Sequence, residues 1–169
     1  MRSFISSQFG YCPLVWMFHS RKLNNRINRL HERALRIVYK DDNSSFDELL
    51  KKDESFTFHE RNIQTMAIEL HKVAYGLGPK IMNIIFPLNS YVAYPTKNPF
   101  KTYNVKTVSW GTETLAHLGP TIWSIVPKDL KKSSLSKFTT KIRKWKPDQC
   151  PCRICKTYIP NLGFVSISS

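Results

Sequence analysis

Three thiols crowd the end of the chain at Cys150-Pro151-Cys152-Arg153-Ile154-Cys155, spaced C-x-C-x2-C. Thiolates separated by two residues reach a single tetrahedral ion, so this spacing fits half of a zinc knuckle. A closed site needs a fourth ligand, and none follows in the tail; His117 or Cys12 would have to fold over to supply it. A structural zinc ion and an incomplete set of free thiols are both open readings, and no other cofactor is required. The flanking Arg153, Lys156 and Tyr158 suit backbone contact and base stacking on a nucleic acid. A second candidate, Tyr39-Lys40-Asp41-Asp42, has the Y-x-D-D form that pairs two carboxylates for two-metal phosphoryl transfer. That chemistry needs a tight turn between apolar strands and a third carboxylate upstream. Here the tetrad ends a basic helical pattern and leads into an acidic turn, so it reads as a helix stop and no catalytic residue is assigned. The sequence also lacks a phosphate-cradling glycine loop, an H-E-x-x-H pair and a nucleophile elbow.

The remaining chemistry is cationic. Lys22, Arg26, Arg29, Arg33, Arg36 and Lys40 step by four and three, which aligns them along one side of a helix. One residue later in each step come Leu23, Ile27, Leu30, Ala34 and Ile37, with Leu35 and Val38 widening the apolar face. Only Glu32 offsets the row, whereas a purely structural helix intersperses acids at i,i+4. A polyanion is therefore the expected partner, bound through Lys22, Arg26, Arg29, Arg33, Arg36 and Lys40. Further on, Lys137, Lys141 and Lys144 form a second, shorter basic row.

The bulk numbers agree. The chain has 169 residues, 41% hydrophobic and 22% charged, which describes a globular chain of one domain or two small ones. Its net charge is +14, a field that favours nucleic acid or an anionic membrane surface. The charge is uneven: residues 1–40 carry +7, 41–79 carry −4, 80–127 carry +3 and 128–169 carry +8. No run reaches the roughly 18 apolar residues of a membrane span. The 4–18 segment is interrupted by Ser6, Ser7 and Gln8 and lacks a small-residue cleavage pattern, so it does not read as a signal peptide. Four cysteines, three of them crowded together, do not resemble a secreted disulfide framework, and a cytoplasmic or nuclear setting is expected.

The elements that would position these groups are mainly helical. Residues 3–18 are apolar and aromatic, disturbed at Gly10 and Cys12-Pro13, and are expected to pack on the Leu23/Ile27/Leu30 face as an αα-hairpin. A short helix capped by Ser44 or Ser45 follows, with Phe46, Leu49 and Leu50 inward. Thr57-Phe58-His59-Glu60 spells a capping box that opens a long helix to about Tyr75, stopped by Gly76, Gly78 and Pro79. His59 and His71 are expected to be surface or interhelical. A short helix over 80–86 completes a helical unit spanning 3–86. Proline-punctuated residues 87–104 read as a linker. Residues 105–146 read as a small unit: a β-hairpin over 105–118, a turn at Gly119-Pro120, a short helix over 121–125 and a last helix over 135–145. Leu135, Phe138, Ile142 and Trp145 would form the buried stripe of that last helix. Residues 147–169 form the cysteine-bearing basic tail.

Several stretches together resemble one family: residues 7–39, FHERNIQTMAIELHKV, TETLAHLGPTIWSIVPKDLKKSSLSKFTTKIRKW and CPCRICKTYIPNLGFV. They are similar to the C-terminal end of jockey-type non-LTR retrotransposon reverse transcriptases, over about residues 4–165. The most specific parts are Leu23–Arg36 and the G-P-x-x-W-x-x-x-P block of Gly119, Pro120, Trp123 and Pro127. The resemblance implies a thumb and tail region of an RNA-directed DNA polymerase that grips a template–primer duplex. The catalytic Asp-Asp box of that family would lie upstream of Met1, so this chain alone is expected not to polymerise. The expected function is sequence-independent nucleic-acid binding. The alternatives are a non-functional remnant that packs on a missing palm domain, and a basic membrane-surface binder.

Overall fold

The computed structural model describes Met17 and residues 21–89, 98–102 and 114–147. Among them the architecture is mainly α: α1 (Arg21–Tyr39), α2 (Phe46–Lys52), α3 (Phe58–Ala74), α4 (Lys80–Ile85), α5 (Leu115–Ile125), α6 (Lys128–Lys131) and α7 (Leu135–Ile142). The starts of α2 and α3 are written in the sequence. The Ser45 hydroxyl accepts from the Glu48 N–H at 3.3 Å while the Glu48 carboxylate accepts from the Ser45 N–H at 2.7 Å. Thr57 and Glu60 repeat this reciprocal pair at 3.2 and 2.9 Å, so orphan donors are satisfied at both helix starts. Gly76, at φ +69°, ends α3, with the Leu77 N–H donating to the Lys72 carbonyl and the Gly76 N–H to that of Val73. Only a residue that tolerates left-handed backbone closes a helix this way without strain.

α3 is the central element, with α5 and α7 packed along it and α1 against it from another side. Ile63, Met66, Ala67, Leu70 and Val73 of α3 join Leu118, Ile122 and Trp123 of α5 and Phe138 and Ile142 of α7 in the main core. Phe86 and Phe100 complete it, their rings edge-on at 6.1 Å, and Phe100 meets Trp123 edge-on at 5.8 Å. Core residues thus come from both sides of the 87–104 stretch. Asn98 also reaches back, its amide donating to the Pro120 carbonyl at 3.1 Å. Leu88 and Phe100 form an isolated antiparallel bridge. Met17 is buried in this same core, rather than on the α1 face that its spacing predicts. A satellite cluster of Leu35, Phe46, Leu49 and Leu50 holds α1 to α2.

Two expectations are corrected. The extended run assigned near Leu115–Leu118 is helical, and Gly119-Pro120 lies inside α5 instead of turning the chain. Leu115, Leu118, Ile122 and Trp123 keep a helical period across the Gly-Pro pair, and their burial against α3 outweighs the one bond that Pro120 cannot donate. The Gly119 position is itself sterically required. A Cβ there would lie 2.4 Å from Phe86 Cε1, so only glycine lets α5 approach that ring. The other expected hairpin residues, 105–113, and the αα-hairpin segment apart from Met17 lie outside the described residues. His59 and His71 are both buried, which excludes a surface position for either. His71 is interhelical: its ring stacks on Phe138 at 4.2 Å and its Nε2 pairs with the Ser133 carbonyl at 3.1 Å.

Candidate nucleic-acid interface

α1 is uninterrupted over 19 residues because it contains neither proline nor glycine. Its buried side chains are Asn24, Ile27, Asn28, His31 and Leu35. At 100° per residue these centre about 180° from the cationic row, so the row points directly away from the core. Lys22, Arg26, Arg29, Arg33 and Lys40 are exposed. The ion pairs formed among the described residues engage Arg36, Lys52, Lys72 and Lys146, leaving those five cations unneutralised.

The expected core face of α1 is displaced by about one residue, or roughly 100°. Leu23, Leu30, Ile37 and Val38 are 43%, 56%, 78% and 50% exposed, whereas Ile27 and Leu35 are buried as expected. The cause is what α2 and α3 offer. His31 inserts its ring between Phe46 and Phe58, at 5.6 and 4.7 Å between centroids, and Leu35 fills the satellite cluster. The Tyr39 hydroxyl then donates to the Asp53 carboxylate at 2.9 Å and pins the end of α1. These interactions fix the roll of the helix and leave part of its apolar stripe facing outward.

Arg36 differs from the rest of the row. Its Nη2 donates to Glu32 Oε1 at 2.8 Å, and its Nη1 donates to the carbonyls of Asp42 at 2.6 Å and Asp41 at 3.3 Å. It braces the turn that follows α1, at the helix end where a cation suits the dipole. The Y-x-D-D tetrad forms that turn, with the Asp41 N–H donating to the Arg36 carbonyl at 3.2 Å. Lys40 takes φ +49°, and Asp41 accepts from the Ser44 hydroxyl at 2.8 Å and the Ser44 N–H at 3.0 Å. These Ser44 bonds, helped by Lys52 and the Asn43 N–H, hold the Asp41 carboxyl down at about 2. Asp41 is thereby committed to closing a turn.

Lys137, Lys141 and Lys144 are all exposed on or just after α7, and Arg143 beside them is exposed too. Between α3 and α7 lies a trough of about 700 Å³ that Arg61, Lys72 and Arg143 line together with Glu54 and Glu69. Its mixed charge suits an anion less well than the outward faces do. Among the described residues no three of His, Cys, Asp and Glu converge as metal ligands. Cys12, Cys150, Cys152 and Cys155 lie outside the described residues, whereas His117 sits half-buried in α5. No described helix is long and apolar enough to cross a membrane. No protein-family model, characterised protein or solved structure matches this chain.

The sequence reading missed His31, whose burial depends on two phenylalanines from other helices. It also missed the outward stripe after α3, because spacing identifies an apolar face without showing what covers it.

Proposed function

We propose that this chain binds the sugar–phosphate backbone of nucleic acid without reading sequence, as the thumb and tail portion of a jockey-type reverse transcriptase, with no polymerase centre of its own. The observation that carries the reading is the row Lys22, Arg26, Arg29, Arg33 and Lys40. Four of these cations lie on α1 opposite its buried face, Lys40 follows just past its end, and none of the five is ion-paired among the described residues. Phosphates repeat along a duplex, and a straight row of cations from Lys22 to Arg33, spanning roughly 16 Å at 1.5 Å per residue, can meet several of them. The exposed Lys137, Lys141 and Lys144 add a second patch. Arg36 leaves the proposed binding set because its guanidinium is already satisfied.

The test is binding to a duplex or hybrid as a function of salt. Arg29→Glu/Arg33→Glu is expected to weaken affinity at least about tenfold at low salt. The log–log salt slope should fall by about 0.9 for each phosphate that the variant no longer neutralises. Arg36→Gln is expected to lower thermal stability while changing affinity little. Unchanged affinity in the Arg29/Arg33 variant removes the row from the account.

A second reading draws on the outward apolar edge of α1, where Leu30 and Ile37 are 56% and 78% exposed. That edge suits packing against the palm domain that complete polymerases of the family carry. In that case Leu30→Ser/Ile37→Ser would improve the solubility of the chain alone and leave its duplex affinity intact.

A further inference from the structure

After α3 the chain presents a stripe that the core does not use. Leu77, Ile81, Ile84 and Leu88 are 60%, 60%, 74% and 39% exposed. Ile81 and Ile84, three residues apart, share one side of α4, and Leu77 and Leu88 are exposed in the loops before and after it. The adjoining side is anchored: Met82 and Ile85 pack on the main core and Phe86 is buried in it, with its ring against Gly119. The segment is also tied at both ends. Gly76 fixes the exit from α3, and the Lys101 N–H donates to the Pro87 carbonyl at 2.9 Å beside the Leu88–Phe100 bridge. A short helix apolar on both sides is ordinarily buried on both sides. Here the outer side stands proud on a fixed base.

Charge discriminates among the surfaces that would cover it. Residues 73–112 contain Lys80, Lys97, Lys101 and Lys106 and no acid, in a chain with 12 acids. Lys80, at the start of α4 beside Ile81, and Lys101, whose N–H bonds to the Pro87 carbonyl next to Leu88, are both exposed. A second copy of the chain would bring another +14 against the first. Four side chains are also far short of the roughly 800 Å² per partner that a stable protein interface buries. A nucleic-acid duplex offers phosphates to the lysines but no apolar slot for Ile81 and Ile84. An anionic bilayer offers both: negative headgroups at the level of the lysines and acyl chains beneath them, with no need for a complementary pocket.

We propose that the Leu77–Ile81–Ile84–Leu88 stripe docks on an anionic lipid surface, with Lys80 and Lys101 at the headgroups. This site is separate from the α1 row and does not depend on the nucleic-acid reading. The experiment is co-sedimentation of the full chain with vesicles of phosphatidylcholine alone or with phosphatidylserine added. Duplex affinity and sedimentation equilibrium are measured on the same samples. The expected result is binding to the phosphatidylserine vesicles that Ile81→Ser/Ile84→Ser weakens at least about tenfold, since both side chains lose their burial in the acyl region. Both residues are exposed, so an unchanged melting temperature and unchanged duplex affinity accompany that loss. Leu77→Ser/Leu88→Ser is expected to act in the same direction. Three results overturn the proposal: no binding to anionic vesicles, equal binding by the Ile81/Ile84 variant, or a wild-type dimer that this variant converts to monomer.

Discussion

His31 is held in an environment that disfavours its charge. It lies in the α1 face turned to α2 and α3, against Phe46 and Phe58, with neither ring nitrogen hydrogen-bonded. Burial, reinforced by the Arg61 cation and opposed by Asp53, pushes its pKa from 6.5 down to about 4. The folded state therefore resists a proton that the unfolded chain accepts below 6.5. Stability is full above that value, falls as pH drops from 6.5 towards about 4, and levels off below it. The loss is on the order of 2 kcal/mol once screening by solvent is allowed for. Urea denaturation at a series of pH values is expected to show this slope, and His31→Leu is expected to flatten most of it. A slope of the same sign persists in that variant, because burial also lowers the pKa of His71. The Asp41 carboxylate, held at about 2, acts lower still, its contribution being lost as pH falls below 3.8 towards that value.

At the scale of elements, close approach decides what the backbone does. α5 runs through Gly119-Pro120, a pair that ends many helices, because glycine lets the helix touch the Phe86 ring. Gly119→Ala is expected to cost about 1–3 kcal/mol in denaturant unfolding, since Phe86 is buried and its ring has little room to withdraw. A second change, Phe86→Leu, is expected to recover part of that loss by clearing the clash. α1 shows the same influence of neighbours in another form. Its sequence favours an inward leucine face, yet aromatic rings from α2 and α3 roll it by about one residue. The consequence is geometric: the roll turns the cationic row directly outward. A helix docked on its full leucine stripe would hold those cations closer to the protein surface.

For the whole molecule, the core sets the cooperative unit. Phe100, within the proline-rich stretch, is buried with Phe86, Trp123 and the residues of α3. Phe100→Ala is expected to destabilise the chain by about 3–5 kcal/mol. Helix content and tryptophan fluorescence should still be lost in one coincident transition, since the described helices before and after this stretch share one core. Separate transitions would show that they fold independently. The +14 charge raises the concentration of any anionic partner around this core, and the exposed faces determine which partner is kept. By itself the sequence determined what is local: the starts of α2 and α3 at their capping boxes, the stop of α3 at Gly76, and the cationic row of α1. Hydrogen bonds within one turn and a 3.6-residue period settle such features without help from distant residues. Only the tertiary structure decided the roll of α1, the passage of α5 through Gly119-Pro120 and the removal of Arg36 from the row. The same holds for the outward stripe beyond α3. Each depends on a surface brought from elsewhere in the chain, and a helical period names an apolar face without saying which neighbour will cover it.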